Sequence, residues 1–296
     1  MKKKKINKKR VLILFLIIAI IIVSIIKLNK KSSKNEDTEI DEQAQTTEQV
    51  SNDNKANDNQ NKEDENFVLE QKLQTGKKLS EDGLPVLMYH FFYDKSKDSG
   101  KDGNWIEISN FEEQMKYLAE NDFYFPTWEQ VENYIDGKQE LPEKSIVITV
   151  DDGDPSFFEL AVPIIQKYKI PTTSFVITYW YGNRANDKQD YVSYQSHSYD
   201  MHKAGSNGKG VMLSWDYDKI KDDILLSRDV LGGANIFCYP FGQYNDLDIK
   251  VLKENGYKLA FTTKGGRVKN GSSKYELPRV RISGNTSISE FMKKVE

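Results

Sequence analysis

The sequence predicts an α/β protein built on a parallel sheet, closed as a barrel or doubly wound. Two observations carry this. From residue 84 onward, runs of β-branched and aromatic residues alternate with segments of helical periodicity over about 210 residues. One run, residues 145–150, reads as a strand buried on both faces. It stops at two adjacent carboxylates, Asp151 and Asp152, followed by a Gly and an Asp-Pro that reads as a helix start.

In chain order, residues 85–89 form the first expected strand. Asn110 is a candidate N-cap for a helix that places Phe111, Met115 and Leu118 on one face. A short strand near 123–125 and a helix from Thr127, with Val131 and Tyr134 inward, lead to the 145–150 strand. The helix from Pro155 turns Phe157, Leu160, Ala161, Ile164, Ile165 and Tyr168 inward, and Pro163 should kink it. Strands follow at 172–178, 235–239, 259–263 and 277–282, with helices at 216–231, at 246–255 ending at Gly256, and at 287–295.

Ahead of this region the text is different. Residues 1–10 carry seven Lys or Arg, a basic cytoplasmic tail, and residues 11–28 are apolar except for Ser24 and Lys27. That pairing predicts a transmembrane signal anchor, uncleaved because no small-x-small site follows, with the C-terminal domain outside the cell. Residues 29–80 are polar with hardly an aromatic and read as a disordered linker, leaving 81–296 as the globular domain. The acid-rich linker and a net charge of −3 argue against nucleic-acid binding. Cys238 is the single cysteine, so neither an intrachain disulfide nor lipoprotein anchoring is available.

Two neighbouring carboxylates at a strand end repel, which implies a metal, a basic partner or a shared proton, unless they are merely solvated loop acids. The chain has three histidines, His90, His197 and His202. Two of them lie in Ser196-His197-Ser198-Tyr199-Asp200-Met201-His202, and two imidazoles with one carboxylate leave an open position for water. Asp152 is the natural third ligand, the alternative being that the histidines are ordinary surface residues.

Thr149-Val150-Asp151-Asp152-Gly153, the His-Ser…His element and Tyr239-Pro240-Phe241-Gly242 together resemble the NodB-type polysaccharide deacetylases, carbohydrate esterase family 4. Pro85-Val86-Leu87-Met88-Tyr89-His90 and the run from Phe237 to Asn245 are similar to the branch that acts on poly-β-1,6-N-acetylglucosamine. The resemblance implies a distorted (β/α)7 barrel. It implies a divalent metal, Zn2+ first with Co2+, Ni2+ or Mn2+ also suited, on Asp152, His197 and His202. Asp151 would be the general base and the Phe241 amide, beside Tyr239, the oxyanion donor. Many members carry the acid in a C-terminal Leu-x-His; here no histidine follows His202, so His90 is the candidate acid. Cys238 stands where the family has an Arg that orients the base, and Arg279 or Arg281 is the candidate replacement.

The implied substrate is an extracellular N-acetylglucosamine polymer, with peptidoglycan the alternative and a non-catalytic carbohydrate-binding barrel a further one. Trp180, Tyr181, Trp215, Tyr239 and Tyr244 are candidates for stacking on sugar faces, although aromatics at such positions also serve as core or loop anchors.

Overall fold

The computed structural model of the chain describes residues 76–100, 102–206 and 208–296. Seven parallel strands close a barrel: β1 (Val86–Tyr89), β4 (Val147–Val150), β5 (Thr172–Val176), β6 (Val192–Ser196), β7 (Ile236–Cys238), β8 (Leu259–Gly265) and β9 (Leu277–Arg281). Closure is made by β9 against β1, through Leu87↔Val280 and Met88↔Arg281. Two short strands, β2 (Phe91–Tyr93) and β3 (Trp105–Glu107), form a separate parallel pair.

Period-2 alternation sorts each strand into two environments. Val86, Val147, Phe175, Ile236, Cys238, Leu259, Phe261 and Leu277 meet in one buried cluster, the barrel interior. The helix α2 (Trp128–Ile135) adds Val131, Tyr134 and Ile135 to it, and its Trp128 ring lies 5.3 Å from Phe261. The alternate residues Leu87, Tyr89, Ile146, Ile148 and Val150 face outward and pack on α1 (Ile108–Glu120), α3 (Val162–Tyr168) and α7 (Ile288–Val295). A third cluster joins Phe237, Tyr239 and Ala260 to α5 (Tyr217–Val230) and α6 (Asp246–Glu254). A four-residue helix, α4 (Thr178–Tyr181), follows β5.

Several helices begin at side-chain caps. Thr127 with Gln130, Asn245 with Asp248, and Ser287 with Glu290 form capping boxes at α2, α6 and α7. Helix α1 starts three residues earlier than its expected cap: Glu107, not Asn110, accepts the Ser109 N–H. A π-turn over Phe157–Ala161 precedes Pro163 and widens the helix where proline leaves a backbone carbonyl without its donor.

Four local expectations change. Residues 123–125 form only an isolated bridge, Tyr124↔Ser145, and the seventh barrel strand is β6, which the sequence reading passed over. The 172–178 strand stops at Val176, and Thr178 opens α4. The linker ends before residue 80, because Leu79 N–H donates to Leu141 O at 2.8 Å and Glu143 N–H to Lys77 O at 3.1 Å. The anchor expected at 11–28 and most of the linker lie outside the described residues; among the described residues no helix is long and apolar enough to cross a membrane.

The barrel has two irregular seams. Strands β6 and β7 share the single pair Ser196↔Phe237, and the Gln195 side-chain oxygen accepts from Asn235 N and Ile236 N at 3.1 and 3.0 Å, substituting for ladder bonds. Between β8 and β9 the register shifts between Phe261 and Gly265, a bulge of the kind that re-aims side chains beside active sites.

Candidate active site

The strands' carboxyl ends form one rim, and His90, Asp151, Asp152 and His197 sit just past strand ends. The Asp151 N–H donates to Tyr89 O at 3.0 Å, carrying the ladder one residue beyond β4. The chain then turns through Asp152 at φ 74°, and Ile177 N–H donates to Asp152 O at 3.1 Å, pinning the turn to the end of β5. His197 continues β6 by one residue, its N–H on Val176 O at 3.0 Å.

Two imidazoles and one carboxylate converge there. His197 Nε2 lies 3.4 Å and His202 Nε2 3.6 Å from Asp152 Oδ1. His197 Nδ1 is 2.8 Å from the Cys238 carbonyl, which can only accept, so Nδ1 carries a proton and Nε2 is the atom turned toward Asp152. Asp152 Oδ1 is buried without a hydrogen-bond partner. Such an orphan costs about 1–3 kcal/mol unless something satisfies it. Three donor atoms within 4.8 Å of one another fit a small divalent cation. Bonds of about 2.0–2.1 Å at tetrahedral angles need donors about 3.3 Å apart, close to the spacings found. Burial pushes the His202 pKa down to about 4, so its nitrogen is unprotonated and available as a ligand near neutrality.

Asp151 is held apart from this trio. Arg279, fully buried, forms a fork with Nη1 on Asp151 Oδ1 and Nη2 on Oδ2, both at 2.7 Å. The guanidinium is fixed in turn by Thr262 O at 3.0 Å, freed by the β8–β9 bulge, and by Thr149 Oγ1 at 3.1 Å. Burial alone would raise the Asp151 pKa; the Arg279 charge outweighs it and holds the carboxyl well below the usual carboxylate range. Cys238 Sγ lies 3.1 Å from Arg279 Nη2 and 3.6 Å from Asp151 Oδ2, and burial pushes its pKa up, keeping it a neutral thiol. His90, at the end of β1, brings Nε2 to 3.7 Å from Asp151 Oδ2.

The remaining candidates divide. Arg281 turns outward to Asn104 and Arg279 alone of the two meets Asp151. Tyr239 is completely buried with its hydroxyl on Tyr275 O at 3.1 Å, so its side chain faces the outer core and not the rim. The next residue but one, Phe241, sits at φ 59°, is 43% exposed and brings its ring to 4.3 Å from the His202 ring. Trp180 is also exposed, 6.3 Å from His202 on centroids. Tyr181 is partly buried and packs edge-on against Trp180. Trp215 is covered by Lys219, and Tyr244 stacks on Tyr239 at 4.8 Å. Thr149 was missed as a site residue; it lies two positions before Asp151 and so shares its inward face, the one polar residue in an otherwise aliphatic strand.

Residues 138–260 match the family model described as polysaccharide deacetylase. That segment reads as a polysaccharide deacetylase domain. The chain is similar to the poly-β-1,6-N-acetyl-D-glucosamine N-deacetylase of Staphylococcus aureus (strain MRSA252), 29% identical over 212 residues covering 65% of this chain and 72% of that one. Among solved structures, IcaB from Ammonifex degensii superimposes with a TM-score of 0.60 at 25% identity, over 74% of this chain and 98% of that one. The Streptococcus pyogenes deacetylase PplD in complex with acetate shares the fold, with a TM-score of 0.62 at 24% identity over 72% and 98% of the two chains. His90 and Arg279 lie outside the matched segment and join the deacetylase site because β1 and β9 close the barrel.

Gly242 is the steric key to the Phe241 turn. At φ 68° it packs so closely that an added Cβ would stand 2.6 Å from Thr263 N. Gly242→Ala should therefore cost about 1–3 kcal/mol in urea unfolding and displace the Phe241 backbone. The expected signature is a fall in the deacetylase kcat larger than the fraction unfolded explains.

Proposed function

We propose that this deacetylase hydrolyses N-acetyl groups from an extracellular N-acetylglucosamine polymer, poly-β-1,6-N-acetylglucosamine first, in a metal-dependent reaction. The observation that carries the reading is the unpartnered Asp152 Oδ1 facing His197 and His202, beside a second carboxylate clamped separately by Arg279. The choice of polymer rests on the name of the Staphylococcus aureus relative at 29% identity. The extracellular placement rests on the basic, apolar and polar segments before residue 81.

Asp152, His197 and His202 would hold the cation, Zn2+ suiting the nitrogen-rich donor set best with Co2+, Ni2+ or Mn2+ as substitutes. Bound there, it supplies Lewis-acid polarisation of the acetamide carbonyl and acidifies a water molecule. Asp151, ionised and aimed by Arg279, removes the proton of the attacking water. The Phe241 amide donates to the oxygen on which negative charge develops. Burial lowers the His90 pKa although both nearby carboxylates oppose it, so His90 enters neutral. Its Nε2 stands 3.7 Å from Asp151 Oδ2, so one bridging water would relay the proton from Asp151 to His90, which then delivers it to the departing amine. The exposed Trp180 and Phe241, both near His202, offer stacking surfaces to sugar rings.

Release of acetate and of free amine from purified poly-β-1,6-N-acetylglucosamine and from peptidoglycan tests this directly. Turnover of the first polymer should fall to background with a chelator and return with Zn2+. Faster turnover of peptidoglycan would replace the substrate assignment, and chelator-insensitive turnover would remove the metal.

A further inference from the structure

The loop that carries both imidazoles is held by a carboxylate from a different element. Helix α5 buries Ile220, Asp223, Ile224 and Ser227, the i, i+3, i+4, i+7 stripe of an amphipathic helix, yet two of the four are polar. Polar groups on a buried stripe destabilise unless bonded, and both are bonded to the loop. Ser227 Oγ meets Ser196 Oγ at 2.8 Å, and Ser196 Oγ accepts the Ser198 N–H at 3.2 Å. Asp223 Oδ1 accepts the Tyr199 N–H at 2.7 Å and Oδ2 the Asp200 N–H at 2.8 Å. Those donors are consecutive and stand midway between His197 and His202.

The loop's opposite edge is tied to α4, with Thr178 N–H on Ser198 O at 3.1 Å and Tyr179 N–H on Tyr199 O at 3.0 Å. Between these ties Ser198 adopts φ 74°, a left-handed conformation that persists in a non-glycine residue only where its surroundings over-determine it. Only a carboxylate presents two acceptors to two parallel N–H groups; an asparagine would set its own NH2 against one of them. Asp223 touches none of the three ligating side chains, and burial raises its pKa to about 6, a cost that the two N–H bonds work against.

We infer that Asp223 is a positioning residue that sets the separation of His197 and His202, and through it the affinity and geometry of the cation site. This rests on the reading of Asp152, His197 and His202 as ligands. The test is a Co2+ titration of the full-length metal-free chain, reading the dissociation constant and the visible absorption of the bound ion. Asp223→Asn should weaken Co2+ binding about 10–100-fold and shift the absorption bands. Asp223→Glu, which keeps both acceptors, should recover part of the affinity and serves as the reading if Asp223→Asn does not fold. Ile224→Val, on the same stripe but not bonded to the loop, should lower Tm and leave Co2+ affinity unchanged. Equal affinity and an unshifted spectrum in a folded Asp223 variant would overturn the inference while leaving the ligand assignment standing. Failure of the unsubstituted chain to bind Co2+ would overturn both.

Discussion

Asp151→Asn should lower kcat by about 10²–10⁴, the usual contribution of a positioned base, while the protein still binds one equivalent of divalent metal. The expectation follows from the separation of the two carboxylates: Asp152 Oδ1 faces the imidazoles, whereas both Asp151 oxygens are occupied by Arg279. An asparagine keeps one acceptor for the guanidinium but sets its NH2 against the other N–H and leaves the Arg279 charge unpaired, so stability falls as well as basicity and kcat is read on the folded fraction. Asp152→Ala should behave differently, losing metal and turnover together, because the remaining two imidazoles offer too few donors for tight binding. Metal content after dialysis, measured beside acetate release for both variants, separates the roles. Turnover retained in Asp151→Asn would refute the base assignment.

Arg279→Met should destabilise the fold by about 3–5 kcal/mol, because it strands an ionised carboxylate in a buried site. Asp151 would then respond by taking up a proton. In the native protein its depressed pKa contributes stability that is present above the unfolded carboxylate pKa and lost as pH falls through the lower folded value. Without Arg279, burial is left as the dominant influence, the pKa rises, and the acid limb of kcat/KM against pH should move toward neutrality. Adding Asp151→Asn to Arg279→Met removes the stranded charge and should recover much of the lost stability, though none of the activity. A denaturation cycle over the four proteins measures this; additive losses would show that the pair does not act as a unit.

Much of the site was legible because its chemistry is written at strand ends. The abrupt stop of an aliphatic run at Asp151-Asp152 located the rim, and two histidines five residues apart located the second half of the trio. Strand β6 was not legible, since a buried parallel strand is expected to be continuously apolar and Val192-Ser193-Tyr194-Gln195-Ser196 is not. Its polar side chains are used instead: Ser193 on Thr173, Gln195 on the β7 backbone, Ser196 on Ser227. The choice between Arg279 and Arg281 was equally closed to sequence. Residues i and i+2 share a strand face, so periodicity places both toward one side, but their depth in the barrel decides which one meets Asp151. Tyr239 shows the converse: alternation from the outward Phe237 would have sent its ring to the outer core, where it lies.

The thin junction of β6 and β7 links occupancy of the rim to integrity of the cylinder. One backbone pair and one glutamine span it, and at its upper end the His197 ring reaches across to the Cys238 carbonyl. A cation held by His197 would thereby also reinforce the most thinly paired junction of the barrel, and ion uptake and wall closure would be two sides of a single linked equilibrium. Loading the trio would tighten the place where the wall is least laced, and loosening that place would release the ion.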